Sequence, residues 1–158
     1  MTVAAVIADE SGRYLLVEER TPEGLKLNNP AGHLELGESP EQGVIREALE
    51  ETGRHFTPDG LIGIFLSRFQ RPARGEDITY LRFAFCGRVG EADPALTLDD
   101  GIVRTLWVTL DELRANRQHL RSSQVLRCVE AHAAGVRHPL GMLTTDPTVY
   151  EPEIKPGR

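Results

Sequence analysis

Cysteine is scarce in this chain. The two present, Cys86 and Cys128, stand far apart, with no Cys or His at metal-ligand spacing beside them. They are too few for a disulfide framework. Both are read as buried thiols in a reducing cytoplasm. Long apolar runs are lacking too: none approaches the roughly 20 residues that a membrane-spanning helix requires. Residues 1–8 are too short and too uncharged a segment for a signal peptide. No run of Lys or Arg appears, and the net charge is −6, whereas a nucleic-acid binder usually carries a basic face. An acidic chain can still bind phosphates when metal ions supply the positive charge. Repeats and low-complexity blocks are also missing.

What is present is an ordinary globular composition over 158 residues, 40% hydrophobic and 27% charged, enough for one domain with a real core. Apolar residues 2–8, a break at Asp9-Glu10-Ser11-Gly12 and a second run at 14–18 read as a hairpin. Residues 20–31 read as a loop, with turn chemistry at Thr21-Pro22-Glu23-Gly24 and Asn28-Asn29-Pro30-Ala31-Gly32. A helix is predicted from the N-cap Ser39, through Pro40 and its capping-box partner Gln42, to Gly53. Strands are expected at about 60–68, 78–89 and 102–109, and helices near Asp111 and over about 122–134. The tail 144–158, with Pro147, Pro152 and Pro156, is expected to be extended or mobile beyond a single domain at 1–143. Hairpin-connected strands interleaved with helices favour an α/β fold with a mixed sheet.

On a helical wheel, Val44, Ile45, Ala48 and Leu49 share an arc of about 140°, while Glu47, Glu50 and Glu51 lie within about 100° on the other side. Like charges at i,i+4, as in Glu47 and Glu51, destabilise a helix by a few tenths of a kcal/mol, and Arg46 offsets only part of this. The cluster is either a solvated helix face or a site for hard cations such as Mg²⁺ or Mn²⁺, which prefer oxygen ligands.

The segment from Gly32 through Gly53 decides between these two. It carries Gly32, Glu38, Arg46, Glu47, Glu50, Glu51 and Gly53 at fixed spacing, with Ala48 in an aliphatic slot. This resembles the Nudix box: Gly, five residues, Glu, seven residues, Arg-Glu, an aliphatic, any residue, Glu-Glu, any residue, Gly, then an aliphatic. The last slot holds Arg54, a departure that bears on local packing rather than on chemistry.

The resemblance implies an α/β/α sandwich around a mixed β-sheet and a Mg²⁺-dependent hydrolase, with Mn²⁺ able to substitute. It implies Glu47, Glu50 and Glu51 as metal ligands, joined by the main-chain carbonyl of Gly32 or Ala31. Arg46 would orient a glutamate, and Glu38 and Gly53 would be structural. The family takes its general base from a box glutamate or from an acidic residue on a later loop. Asp99 and Asp100 are the loop candidates here, unless they only form an Asp-Asp-Gly turn. Residues 27–35, 80–83, 104–108, 111–113, 120–123 and 137–140 resemble the NudJ-type phosphatase branch over roughly residues 2–143. That branch acts on nucleoside tri- and diphosphates and on hydroxymethylpyrimidine diphosphate. An ADP-sugar or dinucleoside polyphosphate pyrophosphatase of the same fold is the nearest alternative. Phe69 and Gln70 stand where ADP-ribose hydrolases of the family tend to carry a proline. A non-catalytic nucleotide-sensing module is the alternative of a different class, and such modules usually lose box glutamates that are all present here.

Beyond the box, Arg82 sits in an apolar strand, where a charge is costly unless partnered; it binds a substrate phosphate or pairs with a carboxylate. His33 donates to a phosphate or is a structural loop residue. Asn29, in the same loop, and Tyr80 complete the substrate-binding candidates, with Tyr80 and Phe69 either stacking a base or packing in the core. Arg68, Arg71 and Arg74 flank Pro72 in an expected loop, either steering anions or simply solvated. Trp107 is a packing residue, and His119, His132 and His138 are structural or surface residues. The expected partner is a small phosphorylated substrate, with no nucleic acid and no membrane, and the chain is expected to be a monomer or homodimer.

Overall fold

A computed structural model describes residues 1–155. Strands β1 (Thr2–Ile7), β4 (Ala31–His33), β5 (Phe56–Arg71) and β6 (Glu76–Val89) form one sheet in the order β4-β1-β6-β5. Only β1 and β6 run parallel, so this sheet is mixed. A second, antiparallel sheet has the order β3-β2-β7, from β2 (Tyr14–Thr21), β3 (Gly24–Asn28) and β7 (Ile102–Val108). Helix α1 (Pro40–Thr52) covers one side. Helices α2 (Leu110–Ala115) and α3 (Ser123–Ala133) cover the other.

The alternation of a strand explains the two cores. On β1, Val3, Ala5 and Ile7 pack with Val44 and Ala48 of α1, while Val6 packs with Leu113, Val125 and Val129 of the opposite helices. A strand buried on both faces needs apolar residues without interruption, and every residue of β1 is buried.

The helices start where expected. Ser39 and Gln42 form the capping box of α1, and Gly53 closes it in the left-handed conformation at φ 67°, which suits a residue without Cβ. Thr109 and Glu112 do the same for the start of α2, and Ser122 caps α3.

Three expectations are corrected. Residues 2–8 and 14–18 are joined by the expected tight turn, in which Asp9 accepts from the amides of Ser11 and Arg13. Yet the two runs pair only at an Ala8–Tyr14 bridge, and β1 and β2 enter different sheets, because both edges of β1 are taken by β4 and β6. The expected loop at 20–31 contains β3, which pairs with β2 through a turn closed by the Thr21 hydroxyl on the Gly24 carbonyl. The arginines around Pro72 are not in a loop. Arg68 and Arg71 lie on β5, Arg74 lies in the turn to β6, and their partners neutralise two of them: Asp77 for Arg68, Glu23 and Glu76 for Arg71.

Among its described residues, the tail has no regular structure except a 3₁₀ turn at Pro147–Tyr150. Thr144, Val149 and Ile154 wall a hollow of about 790 Å³ with Met1 and Leu36. Pro156 lies outside the described residues. Both thiols are buried and free. No helix among the described residues is long and apolar enough to cross a membrane.

Candidate active site

Helix α1 sets its carboxylates between the sheet and solvent. Glu47 and Glu51 are only 8% and 6% exposed, and Glu50 is half-buried. Charges this close to the interior need neutralising partners, and Arg46 supplies most of the compensation. It makes five hydrogen bonds: to both oxygens of Glu38 (3.0 and 2.7 Å), to Glu47 (2.9 Å), to Glu50 (3.1 Å) and to the His33 carbonyl (3.0 Å). Glu38 in turn accepts from the Glu35 amide at 2.8 Å, which ties the box loop to the helix. The Arg46 guanidinium holds the Glu38 carboxyl below its ordinary pKa.

The loop after β6 returns over the end of α1, with the Asp93 amide on the Gly53 carbonyl and the Asp99 amide on the Glu50 carbonyl, at 2.8 and 2.9 Å. Asp99 thereby joins the helix: carboxylate oxygens of Glu47, Glu50 and Asp99 all lie within 4.8 Å of one another. The Asp-Asp-Gly turn also exists, closed by the Ile102 amide on the Asp99 carbonyl, with Gly101 at φ 94°. Asp100 belongs to the turn and is outside the trio. An all-oxygen donor set of this kind fits a hard divalent cation.

Glu51 faces another way. Its Oε1 accepts the Ala31 amide at 2.7 Å. Burial pushes its pKa up to about 8, helped by the charges of Glu47, Glu19 and Asp99 and opposed by that amide. Burial also raises Glu47, against the pull of Arg46. The main chain of Gly32 runs directly over this helix, and a Cβ there would fall inside the Glu47 carboxylate. This close approach accounts for the glycine.

Across β4 from the carboxylates opens a cleft of about 410 Å³, walled by β4, the β5–β6 ribbon and the N-terminal turn of α3. His33, Tyr80 and Arg82 line it, the first two with ring centroids 6.2 Å apart. Arg82, 8% exposed, donates to Asn29 Oδ1 and Asn28 Oδ1, both at 3.3 Å. Among the described residues no carboxylate lies within 4.0 Å of it; Glu19, which lines the same cleft and accepts from Asn28 Nδ2 at 3.3 Å, feels its charge from farther away. Asn29, 1% exposed, stands behind Arg82. Phe69 also lines the cleft, with the Arg71 guanidinium 4.5 Å from its ring centre.

Sequence reasoning missed Asn28, Arg121 and Gln124. The first two come from chain returning to the cleft. Gln124 carried a signal: it occupies the buried stripe of α3 with Val125, Cys128 and Val129, where an amide is out of place without a purpose.

The profile of the NUDIX domain family matches residues 1–128. The chain belongs to the Nudix family. The phosphatase NudJ of Escherichia coli (strain K12) is 32% identical over 143 residues, spanning 90% of this chain and 89% of its own. A Nudix hydrolase from Nitrosomonas europaea is 48% identical with a TM-score of 0.82, over 92% of this chain and 95% of that one. The MutT protein from Methanosarcina mazei Go1 shares the fold, with a TM-score of 0.61 at 23% identity over 85% and 92% of the two chains. This Nudix protein is therefore a hydrolase acting on small phosphorylated substrates. The acidic cluster is where the divalent metal that the family generally uses would sit.

The departure at the end of the box also has an explanation. Arg54 lays its guanidinium 5.7 Å from the ring centre of Trp107 and donates to the Gly90 carbonyl at 2.8 Å. A cation over an aromatic face replaces aliphatic contact.

Proposed function

We propose that this Nudix hydrolase cleaves a phosphoanhydride bond in a nucleoside tri- or diphosphate, or in a small pyrimidine diphosphate, with Mg²⁺ as its cofactor and Mn²⁺ as a substitute. The observation that carries the reading is the oxygen cluster of Glu47, Glu50 and Asp99 beside a cleft holding a buried arginine that two amide oxygens hold and no carboxylate contacts. The likeness to a NudJ phosphatase supports the phosphatase branch.

Glu47 and Glu50, whose carboxylate oxygens converge with that of Asp99, would hold the ion, with Glu51 and the Gly32 carbonyl as the further ligands that the box resemblance implies. When bound, it neutralises charge on the diphosphate oxygens and acidifies a water. Arg46 fixes Glu47 and Glu50 in position before any ion arrives, and Glu38 fixes Arg46. We assign the proton of the attacking water to Asp99, the exposed carboxylate of the set and the one on a loop. Arg82, His33 and Tyr80 receive the rest of the substrate, with Asn29 holding Arg82. A reducing cytoplasm as the setting agrees with two free, buried thiols.

Phosphate release tests this. The panel would hold nucleoside tri- and diphosphates, hydroxymethylpyrimidine diphosphate and ADP-ribose, with Mg²⁺, with and without inorganic pyrophosphatase. Orthophosphate without pyrophosphatase is expected, abolished by chelation and lowered about a thousandfold in Glu47→Gln, a loss of roughly 4 kcal/mol of transition-state stabilisation. Release only after pyrophosphatase is added would remove the phosphatase branch. No Mg²⁺-dependent release from any compound would remove the whole reading.

A further inference from the structure

The cleft holds a polar group that the proposed mechanism leaves unused. Gln124 lines it and is only 4% exposed. Its Nε2 donates to the Leu66 carbonyl at 3.0 Å. A carbonyl can only accept, so this bond fixes which end of the amide is which. The Oε1 atom is left buried and without a partner. An acceptor held this way is costly unless a donor is supplied.

Arg82 is its neighbour. Leu66, which anchors Gln124, directly follows Phe65, the strand partner of Arg82. Cys128, one helical turn after Gln124 on the same face of α3, feels the Arg82 guanidinium at its thiol. The cleft therefore sets an acceptor lacking a donor beside a cation that no carboxylate contacts, with Glu19 of the same cleft attracting it only from beyond ion-pair distance. Aromatic rings of Tyr80, Phe69 and His33 stand along its walls.

We propose that Gln124 and Arg82 form a specificity pair that reads the organic group of the substrate. That group would be a planar nitrogen heterocycle whose edge sets an N–H donor, for Gln124 Oε1, beside a ring-nitrogen or carbonyl acceptor, for Arg82. A slight turn of the Gln124 amide about its soft last torsion opens Oε1 to the ligand. The inference rests on the proposed function for where the diphosphate lies, since the heterocycle must sit across β4 from the carboxylates. A sugar or plain alkyl diphosphate would leave both groups unserved. Discrimination by a buried hydrogen-bonding group is steep for this reason.

Calorimetric titration in EDTA tests the pair without turnover. CMP and AMP would be compared with their analogues lacking the exocyclic amino group and with ribose 5-phosphate. Wild-type protein is expected to bind the amino-bearing compounds about tenfold tighter than the analogues. Gln124→Met, of similar volume but with no acceptor, is expected to lose that tenfold while keeping its affinity for ribose 5-phosphate. Equal binding of each matched pair to wild type, no binding of any compound, or an undiminished preference in Gln124→Met would overturn the proposal. If Gln124→Met does not fold, the matched pairs on wild type still decide. A preference found alongside a silent phosphate-release panel would overturn the hydrolytic reading and leave the specificity pair standing.

Discussion

The carboxylate face of α1 and the cleft across β4 lie on either side of a three-residue strand, yet they treat charge in opposite ways. On the helix, Arg46 meets four glutamates: it makes five hydrogen bonds of 2.7–3.1 Å, to Glu38, Glu47, Glu50 and the His33 carbonyl, and pairs with Glu35 at 3.6 Å. In the cleft, Arg82 donates to two amide oxygens, at 3.3 Å, and lies against the Cys128 thiol, with no carboxylate in contact. The first arrangement is complete without a ligand and strains against its own like charges. The second is incomplete without one. A metal site needs carboxylates held ready, and a recognition site needs groups left over.

The largest effect is expected where the first arrangement is broken. Arg46→Met leaves Glu38, Glu47 and Glu50 facing one another without their cation. Breaking a buried pair costs roughly 3–5 kcal/mol, and the 21% exposure of the Arg46 side chain reduces this to about 2–3 kcal/mol. Urea denaturation in EDTA should show that loss. Adding Mg²⁺ should recover more stability in the variant than it adds to wild type, because the ion takes over the neutralisation. Equal gains in the two proteins would mean that Arg46 does not share its glutamates with a cation.

Glu51 stands between the two regions, on the helix but bonded to the strand, and its titration gives the next effect. Its pKa is raised to about 8 in the folded state, from about 4.3 in an unfolded chain. Between those values the folded protein holds a proton that the unfolded chain has released. Stability of the metal-free protein therefore falls as pH rises from about 4.5 to about 8 and is level on either side. Melting in EDTA across this range should show the decline, and Glu51→Gln should flatten it. Stabilisation by Mg²⁺ should grow over the same window, because the ion competes with the proton. A metal-free melting temperature that rises from pH 5 to 8 in step with the variant would remove Glu51 as the cause.

The same deletion in the cleft should move stability less. Arg82→Met removes a buried charge that no carboxylate contacts, which favours folding, and loses only the longer-range attraction of Glu19. It also leaves the amide oxygens of Asn28 and Asn29 without donors, at about 1 kcal/mol each. The net change should stay within about 1 kcal/mol, while substrate kcat/KM drops roughly tenfold to a hundredfold. If Arg82→Met unfolds as readily as Arg46→Met, the contrast between the two regions fails.

How far the sequence reveals each region follows the same division. The box is local: its residues share one loop and one helix, so their spacing along the chain is their spacing in space. Ser39, Gln42 and Gly53 mark the ends of that helix by cap chemistry alone. The cleft is assembled from β4, β6 and α3, and nothing in the order of residues brings Gln124 to Arg82. Asp99 falls between the cases. Its turn was legible, but its approach to Glu47 depends on a main-chain bond to Glu50 that spacing does not encode. The second sheet was hidden because β3 is short and starts with Gly24 in a stretch rich in turn residues.

The smallest effect is expected at an arginine belonging to neither region. Arg54 occupies the box slot where the family carries an aliphatic residue, and Arg54→Leu restores the pattern. The change loses the contact with Trp107, worth about 0.5–1 kcal/mol at a partly exposed site, and the bond to the Gly90 carbonyl. It also removes Nε, which is buried without a partner, and adds apolar contact beside Trp107. These terms nearly cancel, so the melting temperature should move by no more than about 4 °C, the shift that roughly 1 kcal/mol gives a domain of this size. Turnover should not change, since Arg54 touches neither the carboxylates nor the cleft. A large fall in turnover at unchanged stability would show that the loop carrying Asp99, which leaves Gly53 by the Asp93 amide, is held in register by Arg54. The carboxylate region would then extend beyond the helix that carries it.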